Sequence, residues 1–284
     1  MHSTLRIFVL LLVVATSSPL VAGAQGKCTA VSADCVAVGE WDLSIALGAG
    51  VRTNPIADRS DIPLFAIPQL SYYGKRFFID SLEPGVTLFE GDANTVNLIA
   101  APGYDRVFFS RGDLQNVFVS GPLSSIGTGT VVLVPPQTEG AVEIPGHRRH
   151  TTYLAGPEWL FSFGRFAGQL TALREVTGRH DGYEVRSGVS YPLIRTENSL
   201  VANAGFTWKS AETVDYYYGV KQLYRPDSAF NPFLKIGYSR QLSERWTLTA
   251  FVHYEHLDDQ ITDSPIVSKH SVVTAFAGFN FKVF

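Results

Sequence analysis

From Trp41 onward the chain alternates apolar and polar residues with period two. The alternation recurs over segments close to the ~9–11 residues that a tilted membrane strand requires. Trp41, Leu43, Ile45, Leu47, Ala49 and Val51 share one face of the first segment, and Asp42, Ser44, Ala46, Gly48 and Gly50 share the other. The pattern returns at Tyr153, Ala155, Pro157, Trp159, Phe161 and Phe163, opposite Thr152, Gly156, Glu158 and Ser162. It returns again at Tyr183, Val185, Val189, Tyr191 and Leu193, opposite Glu184, Arg186, Gly188 and Ser190. Leu200, Ala202, Ala204, Phe206 and Trp208 form another apolar face, as do Trp246, Leu248, Ala250, Val252 and Tyr254. No helical stripe interrupts these runs. Strands are predicted at roughly 40–52, 62–73, 76–90, 94–107, 151–163, 165–177, 182–193, 197–210, 230–241, 244–257 and 270–284.

A soluble sandwich would alternate too. Trp and Tyr cluster at strand ends, however, as membrane-interface girdles require. The chain also ends on Phe284 after Phe279, Phe281 and Val283, which resembles the signal read by the outer-membrane assembly machinery, with Lys282 standing where an aromatic is usual. Short turns are expected at Tyr73-Gly74-Lys75, Phe163-Gly164-Arg165, Leu193 to Asn198 and Leu242 to Arg245. Such turns belong on the periplasmic side, which implies periplasmic termini and an even strand number. Eleven strands are readable, so a twelfth is expected between 107 and 151, at Asn116–Ser120 or Gly129–Val134. The fold expected is all-β: a transmembrane antiparallel barrel of about 12 strands with both termini periplasmic.

Composition agrees. Charged residues are 17% of the 284 and aromatics 12%, with 25 Gly; an average soluble domain carries about 25% charge. The net charge of −3, with no Lys/Arg stripe, gives no sign of a nucleic-acid partner. Arg6, the apolar run Ile7–Ala15 and Ala22-Gly23-Ala24 make residues 1–24 a signal peptide cleaved before Gln25, since the run is too short to span as a helix. Residues 25–39 are then a periplasmic segment and 40–284 the barrel. Cys28 and Cys35 are expected to pair in the oxidising periplasm. Gln25-Gly26-Lys27 is not a lipoprotein site, and too few ligands surround the cysteines for a metal.

The densest polar cluster is Arg174, Glu175, Arg179, His180, Asp181, Glu184 and Arg186. It reads either as a charge ladder filling a narrow lumen or its rim, or as a patch that sets selectivity. A hydrolase built on His180, Asp181 and Ser187 or Ser190 is disfavoured, because adjacent strand residues point to opposite faces. Tyr216-Tyr217-Tyr218 is expected as an interface girdle at the outer rim, with a sugar-stacking platform as the alternative. The scattered histidines form no ligand set, and no metal or cofactor is expected.

Glu175 through Glu184, Val214-Asp215-Tyr216-Tyr217-Tyr218-Gly219-Val220, Leu242-Ser243-Glu244-Arg245-Trp246 and Asp263-Ser264-Pro265-Ile266-Val267 follow in order. Trp41, Gly48-Ala49-Gly50-Val51, Pro68, Tyr72-Tyr73-Gly74 and Arg76-Phe77-Phe78 precede them. Together they resemble the MipA/OmpV family of outer-membrane proteins. The resemblance implies a non-enzymatic barrel, in contact with outer-membrane lipid, that joins a lytic transglycosylase to a murein synthase in peptidoglycan assembly. The alternative reading is a narrow diffusion channel for small solutes.

Overall fold

A computed structural model describes residues 38–109 and 149–283. Twelve antiparallel strands close a barrel: β1 (Trp41–Arg52), β2 (Ile62–Tyr73), β3 (Phe77–Asp80), β4 (Glu83–Glu90), β5 (Asn94–Pro102), β6 (Tyr153–Phe163), β7 (Phe166–Glu175), β8 (Tyr183–Arg195), β9 (Asn198–Lys209), β10 (Ala229–Gln241), β11 (Trp246–His256) and β12 (Ser271–Lys282). Each strand bonds to its sequence neighbour, and β1 closes on β12 in a register that sets Ser44 opposite Lys282. Closure gives every strand a bonded neighbour on both sides, the condition for spanning hydrocarbon with sheet, although β2 meets β3 only over Ser71–Tyr73.

The facing follows the alternation. On β1, Trp41, Leu47 and Val51 are exposed on the outer wall, whereas Ser44, Ala46 and Arg52 are buried inside. On β11, Trp246, Val252 and Tyr254 face out and Thr249 and Phe251 face in. Trp246 packs on Phe281 and Trp41 on Tyr72 near one rim, and Tyr183, Phe230 and Tyr254 sit exposed near the other. β1 starts and β12 finishes at the rim that carries the short turns after β2, β4, β6, β8 and β10. Longer connections gather at the opposite rim.

The number twelve agrees with the sequence reading, but one strand lies elsewhere. The segment expected as a single strand over 76–90 is a hairpin: Phe77 pairs with Val86 and Asp80 with Glu83. Ser81 turns the chain with φ +55°. The candidate strands Asn116–Ser120 and Gly129–Val134 lie outside the described residues, and β5 bonds directly to β6. The strand expected over 94–107 stops at Pro102 and gives way to a 3-10 helix, Tyr104–Phe108. Proline and glycine at 102–103 break the ladder there. Gly103 sits where a Cβ would lie 2.5 Å from Thr152 Oγ1, so the chain can pass close as it turns inward. Two helices, α1 (Ala211–Tyr218) and α2 (Asp259–Thr262), lie in the connections after β9 and β11.

Candidate functional site

The long-connection rim is stoppered by side chains from several loops. Val107, Phe108 and Phe109 from the 3-10 segment pack with Val214, Tyr217 and Tyr218 of α1, with Leu257 and Ile261 from the connection after β11, and with Ile56 and Val272. Tyr217 and Tyr218 are fully buried, which corrects the expectation of an exposed girdle at Tyr216–Tyr218. Burial pushes both phenols well above their ordinary range, so they remain neutral. Tyr218 Oη donates to Asp105 at 2.6 Å, and Tyr217 Oη bonds Thr152 Oγ1 at 2.9 Å.

Charge locks this cap to the wall. Lys209, at the end of β9, donates to both Asp105 oxygens at 2.6 and 2.7 Å, both side chains being buried. Tyr104 donates to Glu83, and the Arg186 guanidinium lies 4.2 Å from the Tyr104 ring centroid. Arg186 also donates to the Pro102 carbonyl at 3.1 Å and pairs with Glu184 at 2.7 Å. Arg149 donates to the carbonyls of Tyr217 at 2.5 Å and Gly219 at 3.2 Å, with its guanidinium 4.8 Å from the Phe109 centroid. Asn54 and Arg59 donate to the carbonyls of Phe108 and Phe109, and Ser264 to that of Tyr218. A loop carbonyl under such a cap needs a protein donor, because water reaches it poorly.

The polar cluster read from the sequence is divided by this geometry into three places. Glu184 and Arg186 face the lumen as the buried ion pair just described. Glu175 anchors its own loop, accepting from the backbone N–H of Thr177 at 2.6 Å and of Arg179 at 3.0 Å. Arg179 and Asp181 are exposed, and Arg174 lies on the outside of the wall, 5.6 Å over the Tyr183 ring and 3.9 Å from Asp181. His180 packs 5.0 Å from the Tyr216 ring, and its Nδ1 accepts from the Gly182 N–H. Neither serine of the hydrolase alternative joins it: Ser190 donates to Asn203, its register partner on the neighbouring strand β9, and Ser187 lies on the alternate face. Among the described residues no group of His, Cys, Asp or Glu is placed to hold a metal. Cys28 and Cys35 lie outside the described residues.

The sequence reading missed Tyr104, Asp105, Arg149 and Lys209. Only the strand-ending Pro102-Gly103 signalled that something leaves the wall at Tyr104.

Comparison with known proteins places this architecture. The family profile described as "MltA-interacting protein MipA" matches residues 45–283. The MltA-interacting protein of Escherichia coli (strain K12) is 25% identical over 258 residues, covering 87% of this chain and 92% of the relative. A second protein of that strain, named as an outer membrane protein, YiaT, is 22% identical over 250 residues, covering 85% and 91%. Among solved structures, an outer membrane channel from Pseudomonas putida F1 aligns at 10% identity and TM-score 0.43, covering 87% of this chain and 97% of its own. With its closed barrel and this match over most of its length, the chain belongs to the MltA-interacting protein family and is an outer-membrane protein.

Proposed function

We propose that this barrel is a non-enzymatic anchor that holds a lytic transglycosylase at the periplasmic face of the outer membrane and brings it to a murein synthase. The observation that carries the reading is the family match over 45–283, to proteins named for such a partner. The packed rim supports a holding role over a conducting one, because among the described residues apolar side chains and an ion pair tie several loops together at the mouth that a solute would enter. In the proposed orientation the short turns and both termini are periplasmic and the cap faces outward. Residues 1–24 are removed as a signal peptide, and Cys28 and Cys35 close a small loop within 25–39.

The binding surface then comprises residues 25–39 and the turns near Gly74, Gly164, Thr196 and Glu244. A stable interface usually buries ~1,200–2,000 Å² in total, so a partner has to engage several turns at once. Immobilised full-length protein in detergent should capture a purified lytic transglycosylase. Replacing Ser243-Glu244-Arg245 with glycines, or deleting 25–39, should each weaken capture while the barrel stays folded. No capture by the unaltered protein, together with clear single-channel steps in a planar bilayer, would replace this reading with the narrow channel.

A further inference from the structure

A charged side chain on the outer wall of a barrel takes its surroundings from the bilayer, and only the head-group layer accommodates it cheaply. Arg240 is such a residue. On β10, Leu234, Ile236 and Tyr238 point outward, and Arg240 follows them on the same face at the short-turn rim, where it is exposed. Its register partners are neutral: Asn198 on β9 and Leu248 on β11. Asn198 Oδ1 accepts from Tyr238 Oη at 2.8 Å, which holds the phenol at the level of the arginine.

Arg165, in the turn between β6 and β7, reaches the same sector. Its guanidinium donates to the Pro192 carbonyl at 3.0 Å and lies 5.2 Å from the ring centroid of Tyr191 on β8. Tyr191 packs in turn against Phe166, with centroids 4.9 Å apart. Both contacts of Arg165 are with neutral groups, so neither cancels its charge. The short-turn rim from β6 to β11 carries Arg165, Arg195, Arg240 and Arg245 against Glu197 and Glu244, whereas the adjoining turn after β4 carries Glu90 and Asp92. The sector is therefore basic, and its tyrosines mark head-group depth.

Between the two arginines the outer wall is concave. Register sets Tyr191 beside Ala202 and Ala202 beside Ile236; one row on, Val189 stands beside Ala204 and Ala204 beside Leu234. Two alanines on β9 are thus flanked on each side by larger outward side chains, which leaves a shallow groove along that strand. Val189, Leu234 and Ile236 are 38, 50 and 45% exposed, so the groove lies open to the bilayer. Phe206, packed on Phe230 at 4.9 Å, ends it towards the capped rim. From Leu200 to Phe206 a tilted strand climbs roughly 15 Å along the membrane normal, about one leaflet of the apolar band. β8 and β10 lie roughly 10 Å apart across β9, so two long side chains can meet on one group between them.

We propose that this face binds one anionic glycerophospholipid of the periplasmic leaflet, with its phosphate between Arg240 and Arg165 and an acyl chain on Ala202 and Ala204. Arginine suits the task, because its planar fork meets phosphate oxygens in pairs and stays charged. The choice of leaflet, and hence of a phospholipid, rests on the orientation proposed above.

The test is native mass spectrometry of full-length protein released from a neutral maltoside detergent containing equal amounts of phosphatidylglycerol and phosphatidylethanolamine with the same chains. One phosphatidylglycerol should be retained per barrel, in clear preference to phosphatidylethanolamine. Arg165→Gln and Arg240→Gln together should lower that preference about tenfold, the loss expected when charge-assisted contacts to one phosphate are removed, and Arg240→Lys alone should keep most of it. Ala204→Trp, which fills the groove, should abolish retention, whereas Ala277→Trp, outward on β12, should not. Folding of each variant is checked by its heat-modifiable gel shift, and the two tryptophan variants decide the matter if the double variant does not fold. Equal retention of the two lipids, an unchanged preference in the double variant, or equal loss in both tryptophan variants would overturn the proposal. Displacement of phosphatidylglycerol by lipid A would also overturn it and turn this sector to the outer leaflet. Transglycosylase capture by the unaltered protein is read separately: lipid retention without capture removes only the anchor reading, and capture without lipid preference removes only this one.

Discussion

Asp105 and Lys209 show what a single buried charge does in this barrel. The ammonium and carboxylate are both out of water, and each satisfies the other at close range. Removing one partner leaves the other desolvated and alone, which costs about 3–5 kcal/mol. Asp105→Ala should therefore destabilise strongly in urea titrations of the micelle-bound protein, and Tyr218→Phe, which deletes one hydrogen bond to the same carboxylate, by about 1 kcal/mol. Equal effects would mean that the ion pair does not lock the cap. His180 is a second residue-scale device. Burial against tyrosine rings holds its imidazole below the usual 6.5, against the pull of Glu175 and other nearby acids. The unfolded loop then binds the proton more readily than the folded one, so the loop's stability is full above the unfolded value and declines as pH falls below it. The protection factors of the amides in 176–182, which remove the intrinsic pH dependence of exchange, should fall on acidification through that window, and His180→Gln should abolish the fall.

At the scale of elements, the β3–β4 hairpin depends on Ser81 holding a positive φ of 55°. Left-handed backbone costs an L-residue roughly 1–2 kcal/mol, and a β-branched side chain suffers most. Ser81→Val should lower the temperature at which the unheated gel band converts to the boiled one, and Ser81→Gly should leave it unchanged or raise it. The hairpin was nevertheless readable. If 76–90 were one strand, Phe77 and Ile79 would face one side and Val86 and Leu88 the other, a slip in alternation that marks a turn. Most other strands were legible because lipid outside and a narrow lumen inside impose opposite demands on alternate residues. Helix α1 carried a signal as well: Val214, Tyr217 and Tyr218 stand at helical spacing and are its buried face. Three consecutive tyrosines look like a girdle only when read as strand. The cap itself was not legible, because its bonds join residues such as Asp105 and Lys209, 104 positions apart, and no local period encodes such a pairing. For the same reason the polar run from Arg174 to Arg186, contiguous in sequence, was dealt by the wall to lumen, loop and outside.

The whole molecule is a wall with two solvents, and that sets what it tolerates. Ala250 lies midway along β11 between Trp246 near one rim and Tyr254 near the other, opposite Ala277 on β12 and Tyr238 on β10, all facing out. Thr249, next in the chain, faces the lumen and is buried there opposite Gly278 and Ser239, whose small side chains leave space. An arginine at the lipid-facing midplane costs about 2–4 kcal/mol, since its charge has no water and little reach to the head groups. The same side chain at Thr249 keeps its charge among polar groups of the lumen and pays mainly for packing. Ala250→Arg should thus lower unfolding stability in lipid vesicles by clearly more than Thr249→Arg, although the two sites are adjacent in sequence and similar in size. The comparison cancels whatever the two substitutions share, such as lost strand propensity and altered net charge, and leaves the difference in solvent. A penalty equal at both sites would mean that β11 does not separate lipid from lumen as its alternation indicates, and a larger penalty at Thr249 would mean that the lumen there is packed too tightly to admit water.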